Sequence, residues 1–87
     1  MVRVFIPTML QPLAGDIKEV SLEAKNVRQV VEGLEERFPG IRDWLVEDGK
    51  IKSNLVVAVD GETSSMGLLT KVDQDSEVHF IPAIGGG

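Results

Sequence analysis

The chain has 87 residues, 43% apolar and 26% charged, with a formal net charge of −5. That length suits one small domain with a thin core and little room for a deep pocket. Cysteine is absent and histidine occurs once, at His79, which excludes disulfides, thiol catalysis and thiolate metal sites and leaves no nitrogen-rich metal site. The longest apolar runs, such as Leu55–Val59, fall far short of the about 20 residues that span a bilayer. Residues 1–15 lack the basic start and long apolar stretch of a signal peptide, so a cytoplasmic protein is expected. The negative charge is concentrated: residues 55–87 carry one cation, Lys71, against Asp60, Glu62, Asp73, Asp75 and Glu77. An acidic third repels phosphate backbones and anionic lipid, so neither nucleic acid nor membrane is an expected partner.

Val2-Arg3-Val4-Phe5-Ile6 is short and rich in β-branched residues and stops at Pro7, which predicts a strand. Leu10 to Asp16 is turn-rich, and Ile17 to Leu22 alternates well enough to be a second strand. Asn26 to Phe38 predicts the main helix, because Val27, Val30, Val31, Leu34 and Phe38 form one apolar stripe. Asn26 is a good N-cap with Gln29 three residues on, and Pro39-Gly40 stops the helix. Gly33 weakens it by about 1 kcal/mol relative to alanine, which is tolerable if it lets the helix approach a sheet closely. Ile41 to Val46 predicts a short helical turn with Trp44 or Leu45 packed inward.

Leu55–Val59 followed by Asp60-Gly61 predicts a buried strand running into a tight turn. Glu62 to Leu69 is read as a short edge strand and loop, and Glu77–Ile81 as the last strand, closed by Pro82. With one main helix on one face, the first strand is expected parallel to the last at the centre of a mixed sheet. The fold class is therefore α+β: a β-grasp, ubiquitin-like plan of four to five strands on one helix. Residues 1–82 form the domain and 83–87 a flexible Gly-Gly tail.

Catalytic constellations are missing. One histidine in a strand does not serve a Ser-His-Asp set, and no glycine-rich phosphate loop occurs. Glu35-Glu36 and Glu47-Asp48 read as solvated acids, and His79 as a strand residue on the open face of the sheet. The chain is not expected to be an enzyme, to hold a metal, or to bind a cofactor.

The distinctive feature is Pro82-Ala83-Ile84-Gly85-Gly86-Gly87, which follows the last strand with no charged side chain after Glu77. Six extended residues reach about 20 Å, enough to carry an α-carboxylate clear of the domain. Glycine has no Cβ, so such a tail fits a channel too narrow for side chains and leaves the terminal acyl carbon open to attack. Ordering it costs entropy, which makes sense only if a partner grips it. A cloning remnant would more often add serine, histidine or charge.

These residues resemble the ThiS/MoaD family of ubiquitin-like sulfur carriers. Phe80 to Gly87 is similar to the family's strand-Pro-Ala-aliphatic-small-Gly-Gly ending, with Gly85 where alanine is usual. Val57-Ala58-Val59-Asp60-Gly61-Glu62 looks like its strand-and-turn motif, with Asp60 where asparagine is usual, and Leu34-Glu35-Glu36-Arg37-Phe38-Pro39-Gly40 matches its helix ending. The resemblance implies that an E1-like adenylating enzyme activates the Gly87 carboxylate with ATP, and that a sulfur donor then displaces AMP to leave a thiocarboxylate. Gly85, Gly86, Ile84 and Pro82 would be the residues by which partners recognise the tail. Phe5-Ile6-Pro7-Thr8-Met9-Leu10-Gln11-Pro12 resembles the start of carriers that serve cysteine biosynthesis. There the implied acceptor is a cysteine synthase, and a metal-dependent peptidase frees the product. Two other readings stand beside this one: the small subunit of a molybdopterin synthase, seated in its large subunit, and a ubiquitin-like modifier joined to lysines.

Alternation along the strands also predicts a partner surface. If Val2, Val4 and Ile6 face the helix, then Phe5, Val56, Ala58, His79 and Ile81 face the other way. A face carrying Phe5, Val56, Ala58 and Ile81 beside the tail is too apolar to be left to water and is expected to be an interface. The acids of residues 55–87 are expected to steer the tail toward a basic rim, so association should slow with added salt.

Overall fold

The alternation of Val2 and Val4 with Arg3 and Phe5 builds β1 (Val2–Phe5), with the valines fully buried. The computed structural model describes residues 1–83. β2 (Glu19–Leu22) pairs antiparallel with β1, Val4 opposite Val20. β5 (Leu55–Val59), β6 (Glu62–Ser64) and β7 (Glu77–Pro82) complete a five-stranded sheet in the order β2-β1-β7-β5-β6. β1 runs parallel to β7 while every other pairing is antiparallel, so the first and last strands lie side by side at the centre as expected.

One face of the sheet packs on α1 (Val27–Arg37). Val27, Val30, Val31 and Leu34 meet Val2, Val4, Val20, Leu22, Leu55, Val57, Val78 and Phe80 in one continuous core. Each such side chain contributes on the order of 1.5–3 kcal/mol of transfer free energy. Gly33 stands where the helix comes closest to β2: a Cβ placed there would lie 3.0 Å from Leu22 Cδ2. At the helix start Asn26 Oδ1 accepts from the Gln29 N–H at 2.9 Å, while Gln29 Oε1 accepts from the Lys25 N–H at 2.8 Å, one residue ahead of the usual reciprocal bond.

The structure corrects or refines the sequence reading in four places. The turn-rich stretch is a 3₁₀ segment, Thr8–Ala14, whose Leu10 and Ala14 enter the core. Strand β2 starts only at Glu19, leaving Ile17 exposed. The turn after α1 is α2 (Arg42–Leu45), with Leu45 buried and Trp44 53% exposed. Beyond it lies a ribbon of β3 (Val46–Glu47) and β4 (Lys50–Ile51), joined by Asp48 and Gly49. Both turn residues have positive φ, 54° and 75°, as a two-residue hairpin requires.

Glu35 is not a purely solvated acid. Its carboxylate accepts from the backbone N–H of Gly40 at 3.0 Å and of Arg42 at 2.9 Å, clasping the turn between α1 and α2. Those two bonds, the one from Gly40 first, hold its pKa below the ordinary glutamate value against a smaller opposing effect of desolvation, and the Arg42 charge adds least.

Candidate functional site

The last strand positions the tail root. β1 pairs with β7 only from Glu77 to His79, whereas β5 follows β7 up to Pro82, which lies opposite Leu55. One further bond, from the Ala83 N–H to the Asn54 carbonyl at 2.8 Å, holds the backbone just past the strand. The tail residues singled out in the sequence, Ile84, Gly85, Gly86 and Gly87, lie outside the described residues. Pro82, the first of the group, is exposed.

The sheet face turned away from α1 splits into a polar and an apolar part. At the polar end Arg3 Nε donates to Glu19 at 2.7 Å and its second nitrogen reaches Glu77 at 3.2 Å. The hydrogen bond and charge of Glu19 raise the Arg3 pKa, and the same bond lowers that of Glu19. The Arg3 guanidinium also sits 5.4 Å from the Phe5 ring centre, a cation–π distance. Phe5 in turn stacks on His79, with ring centres 4.2 Å apart.

Toward the tail the face becomes apolar. Val56 lies opposite Ile81, which is 43% exposed. Ala58, opposite His79, is only 4% exposed. It floors this face beneath larger neighbours, so it offers a partner little surface of its own. Phe5 and Val56 are half-buried, and with Ile81 they form an apolar strip leading to Pro82. In the segment after β1, Leu10 and Ala14 are buried in the core.

A further arrangement was not foreseen. Asp60, at φ 52°, accepts from Ser76 Oγ and from the Glu77 N–H, each at 2.9 Å, and Ser76 Oγ accepts from the Asp73 N–H. This network ties the β5–β6 turn to the start of β7 and so sets where β7 begins. The signal was the Asp60-Gly61 pair, read only as a turn. Among the described residues, no helix is long and apolar enough to cross a membrane.

Known proteins share this architecture end to end. Over 91 aligned residues the chain is 33% identical to the sulfur carrier protein CysO of Mycobacterium tuberculosis, covering 99% of this chain and 98% of the relative. A chain in the crystal structure of the Amycolatopsis orientalis BexX/CysO complex superposes with a TM-score of 0.91 at 30% identity, all of both chains being covered. The small archaeal modifier protein 1 of Methanosarcina acetivorans shares the fold, with a TM-score of 0.80 at 22% identity over 99% of this chain and 95% of that one. These structures have the β-grasp, ubiquitin-like fold, and the named functions of the sequence relatives are those of carriers, not catalysts. The ThiS family model matches residues 4–87, from the middle of β1 to the last glycine, and the chain belongs to that family.

Proposed function

We propose that this chain is a sulfur carrier, serving cysteine biosynthesis, whose working group is the α-carboxylate of Gly87. Support comes from the full-length likeness to a protein named sulfur carrier CysO. The observation that carries the reading is the placement of the tail root. The central strand β7 runs to Pro82, is held once more at Ala83, and delivers the chain beside an exposed apolar strip.

In this reading an E1-like enzyme catalyses attack of the carboxylate on the α-phosphorus of ATP, giving the acyl-adenylate and pyrophosphate. Sulfide then adds to the acyl carbon and AMP leaves, so the terminus becomes a thiocarboxylate. A carboxylate is a poor electrophile because any leaving group would be oxide; the adenylate supplies a good one. The carrier contributes position and recognition. Phe5, Val56 and Ile81 over the Ala58 floor form the docking strip, while Pro82, Ile84, Gly85 and Gly86 thread the partner's channel. The acceptor in this reading is a cysteine-synthase-like enzyme, with a metallopeptidase releasing the product.

Incubating the protein with ATP, a sulfide source and the host's E1-like enzyme, then measuring intact mass, tests this. The expected gain equals exchange of one oxygen for one sulfur, and it should vanish when Gly86 and Gly87 are deleted. Lysine adducts in place of that gain would indicate a protein modifier. Stable insertion into a pterin-converting partner would indicate a synthase subunit.

A further inference from the structure

Four of the chain's nine cations line one groove in an otherwise acidic protein. The groove encloses about 830 Å³ between α1, the β3–β4 ribbon, β5 and the segment 64–69, and Arg28, Arg42, Lys50 and Lys52 border it. Arg28 pairs with Glu32 at 3.6 Å, the one acid in the lining. Arg42, Lys50 and Lys52 have no ion-pair partner among the described residues. Outside the groove Arg3 is matched by two carboxylates. Lys18, Lys25, Arg37 and Lys71 are also without an ion pair among the described residues but do not line the groove, so the gathering of cations is what marks it. Ile51, Leu55 and Leu68 supply apolar lining, and Met66 and Leu69 stand at the rim 59% and 72% exposed.

Both walls are fixed. The Lys52 N–H donates to the Leu45 carbonyl and the Leu55 N–H to the Lys52 carbonyl, each at 3.0 Å. Opposite, Ser64 Oγ and Thr70 Oγ1 are 2.8 Å apart, and Ser64 Oγ accepts from the Met66 N–H at 3.1 Å. The exposed Met66 and Leu69 are thus held beside unmatched cations by a braced backbone, the kind of preorganisation that lowers the entropy lost on binding.

We infer that this groove docks an acidic peptide segment of a partner protein, one carrying an apolar anchor between glutamate or aspartate residues. Apolar lining with a few convergent charges takes an amphipathic ligand, and three unmatched cations select negative charge. A concave groove suits a chain better than a flat bilayer. A second copy of the chain is the competing occupant, and concentrating the chain without peptide tests for it. The groove shares Val56 with the Phe5–Ile81 strip but neither Phe5 nor Ile81, and Ser53 and Leu55 in its lining flank Asn54, where Ala83 is tied. A partner seated there holds the carrier by its side and leaves the tail free to enter an active site. The inference does not depend on what the tail carries.

The test is a titration of the ¹⁵N-labelled full chain with the peptide Ac-Glu-Leu-Glu-Asp-Leu-Glu-NH₂, read by amide shifts. Shifts confined to residues 50–53 and 64–69 and the first turn of α1 are expected. They should disappear in the double variant K50E/K52E, whose remaining spectrum reports that the fold is intact. That variant should instead respond to the peptide with lysine in place of its acids. Four results overturn the inference: no shift in these segments, the same shifts from inorganic phosphate, the same shifts on concentrating the chain without peptide, or binding to phosphatidylserine vesicles in its place.

Discussion

Phe5 and His79 lie at paired positions of the parallel β1–β7 ladder, and their rings stack 4.2 Å apart with planes within 4° of parallel. His79 is also 3.8 Å from Glu77, and the Arg3 guanidinium lies 5.4 Å from the Phe5 ring centre. The stack fastens the outer face where the polar end gives way to the apolar strip. Truncating Phe5 to alanine should destabilise the domain by about 1–3 kcal/mol, combining lost burial with a lost aromatic pair. Urea unfolding measures this. Ile81→Asp, at a 43% exposed strand position opposite Val56, should cost about 1–2 kcal/mol of stability, leaving the domain folded, yet slow loading by the activating enzyme. Loading at the normal rate would remove the strip from the interface.

Gly33 is the second point of sensitivity. Alanine there gains about 1 kcal/mol of helix propensity, but its methyl group would press on Leu22 Cδ2 at 3.0 Å, and overpacking typically costs about 1–3 kcal/mol. Gly33→Ala is therefore expected to be neutral or destabilising, and a stabilisation of about 1 kcal/mol in urea unfolding would contradict the close approach. Gly33→Val, bulkier and β-branched, should be worse.

Helix and sheet order were legible because they rest on periodicity. The stripe from Val27 to Leu34 has no competing explanation, and the alternation of β1 and β7 fixes which side faces the helix. Alternation assigns a face, however, and not an exposure: Ala58 faces outward as expected but is covered by its neighbours because its side chain is small. The 3₁₀ segment was hidden by Pro12 and Gly15, which read as turn punctuation although Leu10 and Ala14 are core residues. The β3–β4 ribbon is two residues per strand, too short for any period, and only Asp48-Gly49 signalled it. The cationic groove was invisible because residues 25–54 hold equal numbers of cations and acids; only folding gathers Arg28, Arg42, Lys50 and Lys52 on one side.

Asp60 shows how one side chain holds a turn and the start of a strand together. Asp60→Ala removes both acceptor oxygens from the buried Ser76 hydroxyl and the Glu77 N–H, and loses a residue tolerant of positive φ. A loss of about 1–3 kcal/mol is expected. Asp60→Asn keeps the backbone preference and the acceptor for Glu77, so it should lose less than about 1 kcal/mol. Equal losses for the two variants would contradict this account.

The Glu35 clasp sets a pH dependence. Its folded pKa is depressed, so the folded state binds this proton less readily than the unfolded chain. Its stabilisation is therefore fully present above the ordinary glutamate value of about 4.3 and is lost as pH falls through the lower folded value. Glu35→Gln should flatten the acid limb of stability against pH between those two values, while matching the behaviour of the wild type below both. An unchanged acid limb, followed by thermal unfolding across the range, would show that the clasp does not form in solution.

In the proposed function the Gly87 carboxylate is the group that works. The most direct test is the intact mass after incubation with ATP, sulfide and the host's E1-like enzyme, for the full chain and for the chain lacking Gly86 and Gly87. The full chain is expected to gain the mass of one oxygen exchanged for sulfur and the truncated chain to gain none, with both folded. An unchanged mass in the full chain, while the same enzyme loads another carrier, would contradict that role.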